Sequence, residues 1–385
     1  MTFPSFDFHA HGGITGDGLR SFLVHCAKNN VSDIFLQGGG PLVVDLHGRK
    51  IRASEFRIEP PQLTRLMDDV FSEQIKGDLK AGKGVDRALQ LTGDMYKRYG
   101  LERGESQRFR CNFVQATIGD YDTVPALTLR TIPTVIPELE TLGLEDDLLP
   151  CLMPHNGLAL ITGETGSGKS TLMASIYQYI AHNDPDRKIV TAEDPIEFLL
   201  NFPKAILMPE QSQIGRDVAS FAEHLRLTLR RAPGVIGVGE IRDLETLSGA
   251  IVNGQSGHFC LSTMHTNSPG ETIPRALMLV PENQREAMAW NLLSNLRYVV
   301  TQRLLRTTDG KRQSIREYLV FDDEVKIELG KLKHTQWRTW IDNHLSERGE
   351  RMSDKAWALF ESGRINEKEL LTVISQRELD RRAAM

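Results

Sequence analysis

The segment Gly163-Glu164-Thr165-Gly166-Ser167-Gly168-Lys169-Ser170 has the spacing G-x-x-x-x-G-K-[ST], and its residue types suit the capture of phosphate. Glycines let successive backbone N–H groups turn toward one point. The start of a helix adds a dipole favourable to anions. In that frame Lys169 reaches the β- and γ-phosphates of a nucleotide and Ser170 holds Mg²⁺; Thr171 is placed to contact the α-phosphate. A plain glycine-rich turn would share the composition but not the context. Residues 157–162 read as an apolar strand and residues 169–182 as a helix, the setting the motif requires.

Three other apolar runs also end in reactive residues. Val190-Thr191-Ala192 leads into Glu193-Asp194-Pro195-Ile196-Glu197, Val235-Ile236-Gly237-Val238-Gly239 into Glu240-Ile241-Arg242-Asp243, and Phe259-Cys260-Leu261-Ser262-Thr263 into Met264-His265. Ligands of open parallel sheets lie beyond the carboxyl ends of the strands, so these ends are expected at one edge with the glycine loop. Glu240 stands in the Walker B position, with Gly239 where an aspartate is usual. Mg²⁺ then falls to Ser170 and waters, and Glu240 polarises the attacking water. Glu193 is the second candidate base. Asp194 and Glu197 are further candidates, and Asp194-Pro195 can be read simply as turn chemistry. His258 and His265 flank one strand at opposite ends and make a poor chelating pair; His265 is at the phosphate end, and His258 suits a structural hydrogen bond. Arg108 and Arg110 alternate onto one face of a strand, with Arg130 on the next. Phosphoryl transfer often recruits arginine, whereas surface solvation is its usual fate. Arg226 and Arg230, followed by Arg231, have helical spacing and fit either a subunit boundary or a solvated helix.

The elements that must position these residues fall into two blocks. The chain has 385 residues, 40% apolar and 25% charged, with 46 basic against 51 acidic side chains. That describes folded globular domains and argues against a basic nucleic-acid-coating protein. No run approaches the roughly 20 apolar residues of a membrane span, and the first residues lack the pattern of a signal peptide. The four cysteines, Cys26, Cys111, Cys151 and Cys260, form no C-x-x-C pair, so structural zinc is not expected and a reducing cytosol is. Residues 1–16 read as a loose arm. A helix from Asp17 carries Leu19, Phe22, Leu23 and Cys26, and strands follow at Asp33-Ile34-Phe35-Leu36 and Leu42-Val43-Val44-Asp45-Leu46. A helix after Pro60-Pro61 and strands near 108–115 and 126–131 complete a small α+β module. Two prolines in Ile132-Pro133-Thr134-Val135-Ile136-Pro137 mark a boundary. The expected division is an N-terminal domain at 1–133, a linker at 134–145 and an α/β domain at 146–385. The latter has a mostly parallel sheet covered on both faces. It turns helical from about residue 280, with Trp337, Trp340 and Trp357 anchoring a final bundle and a solvated Arg381-Arg382 end.

The four boxes at 163–171, 191–197, 235–246 (VIGVGEIRDLET) and 257–268 (GHFCLSTMHTNS) resemble the Walker A, Asp, Walker B and His boxes of the type II/IV secretion ATPases, the PilT-like superfamily. The likeness extends upstream through RFRCNF and LRTIP and downstream through LLSNLRYVVTQRLL. The phrase VSDIFLQGGGPLVVDLHGR and the segment Arg230-Arg231-Ala232-Pro233 look most like the DotB/TraJ branch, which serves type IVB secretion and I-type plasmid conjugation. The resemblance implies a PAS-like N-terminal domain beside a RecA-like ATPase domain, a helical C-terminal extension and assembly as a homohexamer. It implies ATP held between the domains with Mg²⁺, and a contribution to the phosphate site from Arg108, Arg110 and Arg130. It also implies a cytoplasmic location, with recruitment to the inner membrane through secretion-complex partners. No sequence-specific nucleic-acid binding is expected. A pilus-retraction motor, a RecA-like nucleic-acid translocase and a non-hydrolysing nucleotide switch are the competing expectations.

Overall fold

A computed structural model describes residues 3–384. The chain divides into two compact units, Met1–Val135 and Ile136–Met385. In the first, α1 (Gly16–Lys28) starts where the Thr15 hydroxyl accepts the N–H of Gly18, and it buries Leu19, Phe22, Leu23 and Cys26. The strands β1 (Val31–Gln37), β2 (Gly40–Leu46) and β3 (Arg49–Ile58) form a meander. Gly39 makes the first turn at φ 84°, where a Cβ would lie 2.3 Å from the Tyr121 ring. Prolines open α2 (Pro60–Val70), α3 (Glu73–Lys80) follows, and β4 (Val85–Thr92), β5 (Ser106–Ile118) and β6 (Tyr121–Ile132) close the sheet. The order β3-β2-β1-β6-β5-β4 is antiparallel throughout. Phe109, Cys111 and Phe113 face the helices and form one core with Phe22, Leu23 and Leu66.

Residues 3–16 are not a loose arm; Met1 and Thr2 lie outside the described residues. Phe8 is buried against Phe22 with centroids 5.3 Å apart, and Phe3 and Phe6 pack on the same core. Three aromatic side chains in six residues outweigh the glycines that follow them. The expected linker at 134–145 is also shorter. The Ser175 hydroxyl donates to the carbonyl of Pro137, and Leu139, 1% exposed, packs with Leu148, Leu152 and the helix after the glycine loop. From Ile136 onward the chain is part of the second unit.

That unit is a seven-stranded sheet. It contains β7 (Gly157–Thr162), followed by α4 (Lys169–Asn183), then β8 (Ile189–Glu193), β9 (Glu210–Gln213), α5 (Phe221–Thr228), β10 (Val235–Val238), α6 (Leu244–Gln255) and β11 (Phe259–Met264). Next come α7 (Pro269–Leu277), α8 (Arg285–Asn295), β12 (Leu296–Arg306) and β13 (Arg312–Val320). The order is β13-β12-β7-β11-β10-β8-β9, and only β13 runs antiparallel to its neighbour. All six residues of β7 are buried because the sheet is covered on both faces. Leu158 and Leu160 join the core of α6–α8, while Ala159 and Ile161 join that of α4, as the period of two demands.

The region beyond residue 280 is not uniformly helical. β12 and β13 form a hairpin that extends the sheet beside β7; the β-branched run Val299-Val300-Thr301 and the turn at Asp309-Gly310 carry its signal. The helices α9 (Asp323–Gly330), α10 (Trp337–Glu347), α11 (Met352–Glu361), α12 (Glu367–Leu370) and α13 (Gln376–Ala383) follow. They serve two cores rather than one bundle. Trp337 is fully buried in the core of α7 and α8, with Trp340 packed against it. Trp357 packs on a separate cluster of Leu305, Ile315, Ile365 and Leu370. Arg381 is solvated, but Arg382 is not: it lies over Trp357 and pairs with Asp354 and Glu378 at 2.7 Å each. Among the described residues no helix is long and apolar enough to cross a membrane.

Candidate phosphate-binding site

The glycine loop joins β7 to α4. Gly163, Gly166 and Gly168 have φ of 136°, 81° and 87°, a region side chains avoid. At Gly163 there is also no room: a Cβ would stand 2.3 Å from the carbonyl oxygen of Gln302. The first intrahelical bond of α4 that crosses into the loop runs from the N–H of Leu172 to the carbonyl of Gly168 at 3.0 Å. The N–H groups of Lys169, Ser170 and Thr171 are thus the unshared donors of a helix start. Lys169 curls back, its Nζ donating to the carbonyls of Gly163 and Glu164 at 2.8 Å each. Burial holds its ammonium below the usual lysine range, and the carboxylates of Glu240, Glu197 and Glu164 oppose that shift. Glu164 and Thr165 form the exposed crest of the loop, and Ser167 is buried beneath it.

Parallel register places the strand ends side by side. Met264 pairs with Thr162, and Val238 with both Ser262 and Ala192. Cross-links lock the order: the Thr263 hydroxyl donates to the carbonyl of Gly239 at 2.6 Å, and the N–H of Gly239 donates to Ala192 at 2.8 Å. Glu240 leaves this edge 16% exposed, with Oε2 2.7 Å from the Arg242 guanidinium and Oε1 3.3 Å from Nε2 of His265. Lys169, Glu240, Arg242 and His265 are therefore one electrostatic neighbourhood, with Glu197 at its margin. Glu193 has a setting of its own. Its Oε1 accepts from the Thr191 hydroxyl at 2.7 Å and from the Gln211 amide at 2.9 Å, and burial pushes its carboxyl above the usual range.

Other candidates have structural work. His258 donates from Nδ1 to the carbonyl of Pro233 at 2.9 Å, at the far end of β11. Asp243 caps α6 through the N–H of Thr246 at 2.7 Å. Arg226 and Arg230 do not share a helix, because α5 ends at Thr228; Arg231 pairs with Glu210 on β9.

In the first unit Arg110 and Arg130 are cross-strand partners, and Asp33 lies opposite Arg130 on β1. Arg130 donates from Nε to Asp33 at 2.9 Å. Arg108 shares the Arg110 face of β5, opposite Phe109 and Cys111, and is 8% exposed.

Two features escaped the sequence reading. Arg242 belongs with Glu240, which its place two residues on could have suggested. Gln302 contacts the loop from behind and Arg316 holds Gln302 in turn; nothing local in their strands, LRYVVTQRLLR and RQSIREYLV, marks either residue. Among the described residues no three His, Cys, Asp or Glu side chains converge as a metal site. The donor set suits Mg²⁺ only in its usual nucleotide-linked form, one hydroxyl together with phosphate oxygens and water.

A family model described as type II/IV secretion system protein matches residues 103–377. The type IV pilus retraction ATPase PilT of Pseudomonas aeruginosa is 30% identical over 302 residues, covering 78% of this chain and 82% of that one. The crystal structure of the Legionella pneumophila ATPase DotB superposes with a TM-score of 0.83 at 32% identity, over 94% of this chain and 96% of that one. The pilus retraction motor PilT with bound ADP gives a TM-score of 0.76 at 31% identity, over 94% of this chain and 99% of that one. The mixed α/β fold with its C-terminal helices matches these ATPases.

Proposed function

The chain belongs to the type II/IV secretion system protein family, and from that premise we propose that it is a Mg²⁺-dependent ATPase powering a type IVB secretion or conjugative DNA-transfer machine. The observation that carries the reading is the placement of Glu240. It sits at the end of β10 within the field of Lys169, with Arg242 and His265 each facing one carboxylate oxygen. Lys169 and the loop N–H groups would hold the β- and γ-phosphates. A carboxylate fixed by two partners can polarise one water without reorganising. Glu193, whose raised pKa favours proton uptake nearer neutrality, is the second base. Mg²⁺, when bound with ATP, would be held by Ser170 and the phosphates and would neutralise charge on them.

Arg108, Arg110 and Arg130 would contribute to nucleotide binding, and the chain would assemble as a homohexamer. Hydrolysis would move one unit against the other, since contacts to the γ-phosphate exist in only one state. The ring would act in the cytoplasm, held at the inner membrane by partner proteins. The net charge of −5 weighs against a nucleic-acid translocase, and no sequence-specific nucleic-acid binding is expected.

The test is ATPase rate against protein concentration, with mass followed by light scattering. A rate per chain that rises as a hexamer forms supports the ring; a constant rate from a monomer overturns it. A pilus-retraction motor is the second reading, favoured by the identity to PilT. Deleting the gene in its native host separates the two: loss of DNA or protein transfer supports the first, and loss of pilus retraction alone supports the second.

A further inference from the structure

We propose that Gln302 and Arg316 are positioning residues for the phosphate loop, fixing it from behind and tying it to the backbone of Leu142 and Gly143, where the chain comes into the second unit. The proposal rests on the reading that the loop holds nucleotide phosphates.

β12 runs beside β7, and the hydroxyls of Thr301 and Thr162 meet at 2.7 Å where β7 ends. The next residue, buried Gln302, lies under the loop. Its Nε2 donates to the carbonyl of Ser167 at 2.8 Å. Its own carbonyl and amide occupy the space in which Cβ atoms on Gly163 and Gly168 would fall, at 2.3 and 2.8 Å. The first contact is with backbone that any residue at 302 would present; the second is with the side-chain amide, which its bonds to Ser167 and Arg316 hold in place. The bond to Ser167 also sets a direction. The Ser167 carbonyl and the Gly168 N–H share one trans peptide plane and point opposite ways. Drawing the carbonyl toward β12 turns that N–H away from β12.

Gln302 is held in turn. Its Oε1 accepts from Nε of Arg316 at 2.9 Å, directly across the β12–β13 pair. Arg316 is 1% exposed. Its other donors go to the carbonyls of Gly143 at 2.9 Å and Leu142 at 3.0 Å and to the Ser314 hydroxyl at 2.9 Å. Glu145 is the nearest carboxylate, at 3.9 Å. A buried guanidinium is a costly way to fill space, and apolar residues of similar volume often serve stability as well or better. What this chain of bonds adds is geometry: a continuous link from residues 142–143 through Arg316 and Gln302 to Ser167.

The test uses the full chain with Gln302→Glu. A carboxylate keeps the acceptor for Arg316 but loses the donor to Ser167 and sets negative charge against its carbonyl. ADP affinity should fall, and KM for ATP rise, about tenfold, the scale of one such hydrogen bond with its repulsion, while the melting temperature stays near wild type. Gln302→Met, which removes both the donor to Ser167 and the acceptor for Arg316 without adding charge, should also weaken ADP binding and serves if the first variant does not fold. Arg316→Lys keeps a cation on Gln302 and should recover most of the affinity that Arg316→Met loses. Wild-type KM and ADP affinity in the Gln302 variants overturn the proposal. So does a fall in kcat at unchanged KM, which reports only less folded enzyme. If wild type itself binds no ADP, the nucleotide reading of the loop fails instead.

Discussion

Nε2 of His265 stands 3.3 Å from Oε1 of Glu240, so the residue after β11 steadies the carboxylate that follows β10. The other oxygen faces Arg242 at 2.7 Å. An amide in place of this carboxylate keeps the shape but not the basicity. Glu240→Gln is expected to bind ATP within about threefold of wild type and to turn over at least about 10²-fold more slowly, the usual scale of a general base. Fluorescent-nucleotide titration and phosphate release measure the two. Equal rates would remove Glu240 from its role.

Lys169 is the cation of the loop, already placed by two carbonyls. If Lys169 holds phosphate as proposed, Lys169→Ala removes charge-assisted hydrogen bonds each worth roughly 1.5–3 kcal/mol. Nucleotide binding should weaken about 10- to 100-fold, with the fold intact by circular dichroism. Unchanged affinity would contradict the assignment.

His224 gives a pH signature apart from catalysis. It is 2% exposed, and burial, aided by the charge of Arg231, lowers its pKa from 6.5 to about 4. The folded state therefore resists a proton that the unfolded chain accepts. The stability from this group is present above pH 6.5 and is lost as pH falls toward 4. Between pH 7 and 5 the loss should be about 2 kcal/mol. Denaturant titrations at both pH values should show that this part of the slope vanishes in His224→Leu. An identical slope in the variant would refute the account.

Gly237 sits in the middle of β10 against a tyrosine. A Cβ there would lie 2.3 Å from the hydroxyl oxygen of Tyr177 and 2.7 Å from Cγ2 of Thr191, and the Thr191 hydroxyl holds Glu193. Gly237→Ala is expected to cost about 1–3 kcal/mol through overpacking, read as a lower denaturation midpoint. A stable variant would mean that Tyr177 has room to move.

Legibility followed sequence distance. The glycine loop, Glu240 and His265 were readable because each lies within a few residues of a strand end. The pairing of β7, β8, β10 and β11 then needed only the rule for parallel sheets. Gln302 was not readable, because its partner Ser167 is 135 residues away and a lone glutamine in VVTQRLL has no local pattern that names its contact. The β12–β13 hairpin was hidden for a related reason: the helix-forming stretches around it dominate the composition. At the other end, Phe3, Phe6 and Phe8 showed that even a glycine-rich arm folds down when it carries enough aromatic surface.

The two bonds from Lys169 to its own loop bear on how any measured affinity should be understood. A phosphate arriving there would exchange one set of oxygen acceptors for another rather than create contacts from nothing. The side chain is already ordered, so little rotamer entropy would be lost on association. The enthalpy of binding would then report a difference between carbonyl and phosphate as partners.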